Sequence, residues 1–173
     1  MSSALSGWKG CPRCGQPLAL HDETDDVHVT CAACGFLHYD NPAPATVVLI
    51  LDDADRLLLI RRAVAPYAGE WDTPGGFLVP GESAEDCCHR EVREELGCAI
   101  EDLVPLGTFP SRYGDNGRWT IGIAFTARLA PGAQIALDPA ESLEHAWTPL
   151  TAIPHLAFPD GRAAVAALVA ARG

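Results

Sequence analysis

The segment Gly81–Gly97, GESAEDCCHREVREELG, puts six acidic side chains on one short predicted helix, with two arginines and one histidine to offset them. At about 100° per residue, Glu91, Glu94 and Glu95 fall within one third of the circumference. Ala84, Cys88, Val92 and Leu96 make the neighbouring apolar stripe, suited to facing a core. Arg90 lies four residues before Glu94 and can pair with it, whereas Glu91 and Glu95, also four apart, repel. All three glutamates sit in the last half of the helix. That is the negative end of its dipole, where an acid is unfavourable by roughly 0.3–1 kcal/mol. Local stability does not select this arrangement. A divalent cation would, because clustered carboxylates are hard oxygen ligands suited to Mg²⁺ or Mn²⁺. On the helix alone, a solvated acidic surface remains the ordinary alternative. Ser83 is the expected N-cap, with Asp86 three residues on, and Gly97 stops the helix.

Around this helix the chain alternates strand and helix patterns. The aliphatic run Thr46–Leu51 predicts a buried strand, Asp52–Asp55 a turn, and RLLLIRR a second strand. A Gly- and Pro-rich loop follows and ends at Gly75-Gly76, where the backbone turns sharply or approaches something closely. Further strands are expected near Leu103–Phe109, Trp119–Leu129 and Glu144–Thr148, with the loop PSRYGDNGR between the first two. An alanine-rich helix from about Pro159 to Ala171 closes the chain. The order implies an α/β layered fold with a mixed sheet. Asp40–Ala45, DNPAPA, reads as a linker.

The first forty residues differ in kind. They hold few large apolar side chains, too few for a core of their own. Cys11-x₂-Cys14 and Cys31-x₂-Cys34, with sixteen residues between the pairs, have the spacing of a Cys₄ zinc ribbon. Gly15 and Gly35 follow the two pairs and let backbone amides fold toward the sulfurs. Zinc would then supply the stability that the missing core cannot. Cys87, Cys88 and Cys98 lie elsewhere. The odd total of seven and the lack of an export signal near the N-terminus argue against a disulfide framework. His21, His28 and His38 read as surface or packing residues.

A formal net charge of -11 leaves no basic face for a long nucleic acid. A small anionic substrate remains compatible if a metal ion supplies local positive charge. With no long apolar run and no leader pattern, the expectation is a cytoplasmic protein with no membrane contact.

From Gly76 to Cys98 the chain reads GFLVPGESAEDCCHREVREELGC. A Gly, five residues, Glu82, seven residues, Arg90-Glu91, Val92, one residue, Glu94-Glu95, one residue and Gly97 together resemble the Nudix hydrolase signature at every specified position. Cys98 stands where a bulkier aliphatic residue is usual, and the preceding GEWDTPGG is similar to that family's lead-in. The resemblance covers roughly Asn41 to the C-terminus. After the 1–40 zinc ribbon read from the cysteine spacing, it implies a 41–173 Nudix domain with an α/β/α sandwich. It also implies hydrolysis of a nucleoside diphosphate linked to a group X, such as NADH, FAD or ADP-ribose. By the same resemblance Glu91, Glu94 and Glu95 bind Mg²⁺ or Mn²⁺, with the Gly76 carbonyl as a further ligand. Arg90 holds the glutamates in place, and Glu82 is a structural or outer-sphere group. The segment DPAESLEHAWTPL resembles the later part of the domain that can supply a general base. Glu141 is the first candidate and Glu144 the second, with a solvated loop acid as the alternative.

A zinc ribbon ahead of such a domain is similar to the layout of NADH pyrophosphatases. Their additional SQPWPFPxS motif is matched here only by a Phe-Pro fragment in GTFPSRYGDNGRW. Base recognition needs an aromatic face. Tyr113 and Arg112 are the first candidates, with Trp119 and Phe109 beside them, and Arg61, Arg62 and Arg118 are available for phosphates. The expected partner is a small nucleotide, and family members are often homodimers. The rival readings are a hydrolase of nucleoside triphosphates or capped RNA, a regulator that senses nucleotides without turnover, and an interaction module led by the zinc ribbon.

Overall fold

A computed structural model describes residues 4–23, 26–115 and 117–172. The chain forms two compact units, Met1–Pro42 and Ala43–Gly173. In the first, β1 (Ala19–Glu23), β2 (Asp26–Thr30) and β3 (Leu37–Tyr39) form an antiparallel sheet in that order. Its buried side chains, among the described residues, are Leu5, Cys11, Val29 and Cys31. Two of those four are thiols, so apolar packing alone gives this unit little to stand on.

The second unit contains β4 (Ala43–Ile50), β5 (Arg56–Arg62), β6 (Trp71–Asp72), α1 (Ala84–Leu96), β7 (Ile100–Arg112), β8 (Trp119–Leu129), β9 (Ser142–Pro149) and α2 (Pro159–Arg172). One sheet has the order β4-β8-β7 and is mixed, with β4 parallel and β7 antiparallel to β8. The other, β6-β5-β9, is antiparallel. An antiparallel bridge from Leu51 to Leu57 connects β4 to β5.

Strand alternation explains why helices cover both faces. Val48 and Ile50 of β4, with Leu58 and Ile60 of β5, pack with Cys88, Val92 and Leu96 of α1. Their odd-numbered neighbours Val47, Leu49, Leu57 and Leu59 pack with Ala164, Val165 and Leu168 of α2. A run that is apolar at every position thus feeds two cores, one on each side, as an α/β/α sandwich requires. Val48, Leu49, Ile50, Leu57, Leu58 and Leu59 are fully buried, each contributing about 1.5–3 kcal/mol of transfer free energy.

The outer edge of β4 is covered by the Pro74–Leu78 segment. Val48 N–H donates to the Pro74 carbonyl and Thr46 N–H to the Gly76 carbonyl, both at 2.8 Å, and Leu78 N–H donates to the Pro44 carbonyl at 3.3 Å. This docking brings Gly75 and Gly76 beside α1. It also corrects the linker reading, since β4 begins at Ala43 within DNPAPA. Pro44 is tolerated because an outer strand can use the carbonyl and forgo the N–H. Likewise β7 runs to Arg112, three residues past the expected strand end at Phe109. Pro110, Ser111 and Arg112 each pair with β8. Among the described residues, no helix is long and apolar enough to cross a membrane.

Candidate active site

Helix α1 starts where Ser83 Oγ accepts the Asp86 N–H at 3.1 Å and ends at Gly97, whose left-handed backbone (φ 64°) closes the last turn onto the Arg93 carbonyl. Within it, Arg90 is the hub. It grips Glu82 with two parallel bonds, Nε to Oε1 at 2.8 Å and Nη2 to Oε2 at 2.9 Å. Its Nη1 donates to Glu91 at 2.7 Å and to Glu94 at 2.9 Å, while Nη2 also reaches the Phe77 carbonyl at 3.0 Å. The fork of a guanidinium suits this bidentate grip, which an ammonium could not reproduce. Bonding to Arg90 holds the Glu82 carboxyl down to about 2, and the Val79 N–H adds to the effect. Glu82 therefore anchors the arginine that positions the other two acids.

Glu95 is different. It is only 7% exposed, no salt bridge among the described residues includes it, and its Oε2 accepts the Gly75 N–H at 3.0 Å. Burial pushes its pKa well above the usual carboxylate range, and the charges of Glu91, Asp72 and Glu141 push the same way. Burial likewise raises Glu91, against the pull of Arg90. A buried carboxylate with acidic neighbours and no counter-charge is costly, and it fits a bound divalent cation. Glu94 sits at the rim, with its side chain 54% exposed.

Gly76 faces Glu91 so closely that any Cβ there would overlap the carboxylate. Its carbonyl already accepts from Thr46 N–H at 2.8 Å, with longer contacts from Thr46 Oγ1 at 3.5 Å and Cys87 Sγ at 3.7 Å, so a cation would share that oxygen with them. Replacing Gly76 by Ala should displace Glu91 and lower kcat by about 10²-fold, the loss a misplacement near 1 Å can cause. The thermal midpoint should hold, because the overlap is with one movable side chain. Unchanged kcat in that variant would show that the position of Glu91 is unimportant.

Beside α1 lies a cleft of about 600 Å³, which Glu94 does not line. Glu91, Glu95 and Glu141 line it, together with Gly76 and Arg90. Glu144 is instead paired with Arg61 at 2.9 Å on an exposed strand face. Of the four residues expected to meet a base, Tyr113 lines the cleft and the other three do not. Arg112 lies over the Trp119 ring at 4.3 Å, so those two occupy one another. Phe109 packs against the core under α2.

Several cleft residues had no local signal strong enough to single them out. Asp72 is buried, accepts the Thr73 N–H at 2.9 Å and pairs with Arg62 at 3.3 Å. Phe158 stacks on Tyr113 with ring centroids 5.5 Å apart, and the Arg62 guanidinium lies over the Phe158 ring, 5.0 Å from its centroid. Asp160, Ser111 and Thr120 complete that wall. Only the Asp-Thr-Pro-Gly-Gly lead-in offered a hint, through Asp72.

Burial drives Asp72 up to about 7, with Arg62 opposing and Asp160 adding. Asp72 and Glu95 thus keep protons in the folded state at pH values where the unfolded chain has lost them. Their linkage is present below the ordinary carboxylate range and is lost as pH rises through the folded values. Without divalent ions, the thermal midpoint of the second unit should fall between about pH 5 and pH 7. The slope is about 1.4 kcal/mol per pH unit for each proton retained. Glu82 has the opposite sign, but it loses its contribution only as pH falls toward about 2, outside that window. Calorimetry at several pH values checks this, and a midpoint that rises across the window contradicts it.

In the first unit the four thiols converge. Cys11 and Cys34 Sγ are 3.6 Å apart, as are Cys14 and Cys31, and all four lie within 4.8 Å. Tetrahedral zinc with bonds of about 2.3 Å requires sulfurs about 3.8 Å apart. The two knuckles repeat one geometry. Gly15 N–H closes on the Cys11 carbonyl at 2.8 Å and Gly35 N–H on the Cys31 carbonyl at 2.9 Å. The two glycines have φ of 75° and 71°, a left-handed turn that favours glycine. Although the Phe36 amide stabilises its thiolate, burial and the three neighbouring thiols push Cys34 up to about 12. Four thiolates cannot share this space without a cation. Among the described residues this is the group of His, Cys, Asp or Glu whose ligand atoms converge so tightly. The glutamates of α1 are held differently: Arg90 Nη1 donates to both Glu91 and Glu94, while the Gly75 N–H donates to Glu95.

Comparison with known proteins agrees with this geometry. The NUDIX domain model matches residues 41–169. An NAD-capped RNA hydrolase NudC of Stutzerimonas stutzeri is 32% identical over 156 residues, which cover 88% of this chain and 52% of the relative. The NudC of Chromobacterium violaceum is 31% identical, over 86% of this chain and 53% of its own. The chain thus spans about half the length of these curated relatives. The crystal structure of a MutT NUDIX hydrolase from Burkholderia pseudomallei superimposes with a TM-score of 0.66 at 28% identity, covering 74% of this chain and 98% of that one. A helix whose acids are placed against its own stability, in a fold shared with that hydrolase and matched along residues 41–169, establishes that this chain belongs to the Nudix family.

Proposed function

We propose that the chain is a divalent-metal-dependent pyrophosphohydrolase acting on a nucleoside diphosphate linked to a second group, such as a dinucleotide or nucleotide sugar. The observation that carries this reading is Glu95, a carboxylate buried at the cleft beside Glu91 with no salt-bridge partner among the described residues. Glu91, Glu94 and Glu95 would hold Mg²⁺ or Mn²⁺, with the Gly76 carbonyl as a further oxygen. When bound, the cation neutralises the pyrophosphate and lowers the pKa of water. Arg90 fixes Glu91 and Glu94, and Glu82 fixes Arg90. Glu141 faces the cleft near Glu91 and Glu95, and it accepts the proton of the attacking water as that water adds to phosphorus and the anhydride P–O bond breaks. Two phosphate monoesters leave. Glu144, held by Arg61, does not take part. Tyr113 and Phe158 provide the aromatic wall for a base.

Residues 1–40 act as a structural zinc ribbon through Cys11, Cys14, Cys31 and Cys34, and residues 41–173 as the catalytic domain. A second reading concerns the size of the substrate. The relatives are named for NAD-capped RNA, which bears on the expectation of no bulk nucleic acid, and a capped RNA end, one of the rival substrates above, carries the same anhydride. With a net charge of -11, the chain would grip the dinucleotide cap rather than the RNA body.

Hydrolysis of NADH, FAD, ADP-ribose, nucleoside triphosphates and NAD-capped RNA, with Mg²⁺ and with Mn²⁺, tests both readings by chromatography of the products. Turnover of an X-linked diphosphate that disappears with EDTA is expected. Nucleotide binding by the metal-loaded protein without cleavage of any substrate would favour a sensing role instead.

A further inference from the structure

Several groups in the cleft have no task in the chemistry assigned to the glutamates. Asp160, the second residue of α2, is 7% exposed. Its Oδ1 accepts the Gly161 N–H at 3.0 Å, while Oδ2 has no donor among the described residues. That oxygen lies over Gly122 of β8, where a Cβ would come within 2.6 Å of it. Ser111 is 3% exposed, and its Oγ is a buried side-chain atom with no hydrogen-bond partner among the described residues. Ser111 pairs with Thr120, and Thr120 shares a sheet face with Gly122 two residues on. Ser111, Thr120 and Asp160 therefore form one polar strip, and all three line the cleft. Beside the strip stand the parallel rings of Tyr113 and Phe158, inclined by 8°. An acid in the first turn of α2 is favourable to the helix, and this accounts for Oδ1 of Asp160. It accounts neither for Oδ2 nor for a buried hydroxyl left unpaired, which is costly unless a ligand pairs it.

We propose that this strip reads the heterocycle of the substrate and selects an amino-bearing nucleobase. The ring lies against the Tyr113–Phe158 wall, its exocyclic amino group donates to Asp160 Oδ2, and Ser111 Oγ donates to the adjacent ring nitrogen. The strip uses one carboxylate oxygen as acceptor and one hydroxyl as donor, the complement of an amino group next to an unprotonated ring nitrogen. The cleft volume is in the range that takes a nucleotide. This specificity rests on the hydrolase reading above for its biological meaning, but it can be measured without turnover.

Calorimetric titration of the full chain with the 5′-monophosphates of adenosine, inosine and purine riboside tests it. These ligands have no anhydride to cleave, so failure of the hydrolase assignment would not affect the result. Adenosine monophosphate should bind at least about tenfold more tightly than the purine riboside compound, and more tightly than the inosine compound, which presents an oxo group and a ring N–H. Asp160→Asn should narrow the tenfold gap to about threefold or less. Ser111→Ala should weaken adenosine monophosphate by about threefold or more with no fall in thermal midpoint, since its hydroxyl has no hydrogen-bond partner among the described residues. If Asp160→Asn lowers the midpoint, the Ser111 variant decides. Absence of binding, equal affinities in the parent protein, or variants that keep its ratio and affinities would overturn the proposal.

Discussion

Replacing Glu95 by Gln should abolish turnover, by about 10²–10⁴-fold, while leaving the thermal midpoint unchanged or higher. The loss follows from removing one charged oxygen ligand from a site that needs cations to neutralise a pyrophosphate and activate water. The stability gain follows from the electrostatics of the same side chain. Glu95 is 7% exposed and surrounded by the charges of Glu91, Asp72 and Glu141. The isosteric amide retains an oxygen to accept the Gly75 N–H and removes the charge that burial opposes. A parallel Glu82→Gln substitution should behave in reverse. It breaks the bidentate grip on Arg90 and lowers stability along with activity. Rates and melting curves of both variants check the pair. An active Glu95→Gln enzyme would remove Glu95 from the site.

The second large effect is expected in the first unit. Cys14→Ser should release zinc and unfold the sheet β1-β2-β3, because the buried side chains of that unit, among the described residues, are two aliphatic residues and two of the cysteines. A metal holding four thiolates provides folding free energy of about 10–16 kcal/mol in small zinc modules, far beyond what so small a core can replace. Metal analysis should fall from one zinc per chain toward none, and amide exchange across Ala19–Tyr39 should become unprotected. Zinc content equal to that of the parent protein would contradict the Cys₄ assignment.

What was legible in the chain depended on whether the signal was local. Glu91, Glu94 and Glu95 share a helix face by spacing alone, and Ser83 and Gly97 mark the helix ends within a few residues. The knuckle cysteines are equally local. The two-faced burial of β4 and β5 could be read from runs that are apolar at every position. By contrast, Phe158, Asp160 and Asp72 reach the cleft from separate segments, and nothing near any of them announces the others. Arg112 and Trp119 misled for a related reason. They were expected beside or within a loop, but Arg112 is the last residue of β7 and pairs with Trp119 across the hairpin. In a strand, neighbours face opposite ways, so Ser111 takes the cleft and Arg112 cannot. Phe109 lies on the same face as Ser111, but under α2, where it serves the core.

The proposed metal site requires that the carboxylates of α1, Glu91, Glu94 and Glu95, hold the divalent ion. Titration of Mn²⁺ into the zinc-loaded protein, followed by the loss of the free-ion electron paramagnetic resonance signal, tests this most directly. The parent protein should bind Mn²⁺ saturably, Glu95→Gln and Glu91→Gln should weaken that binding at least about tenfold, and Glu144→Gln should leave it unchanged. Equal Mn²⁺ affinity in the parent, Glu91→Gln and Glu95→Gln proteins would contradict the claim.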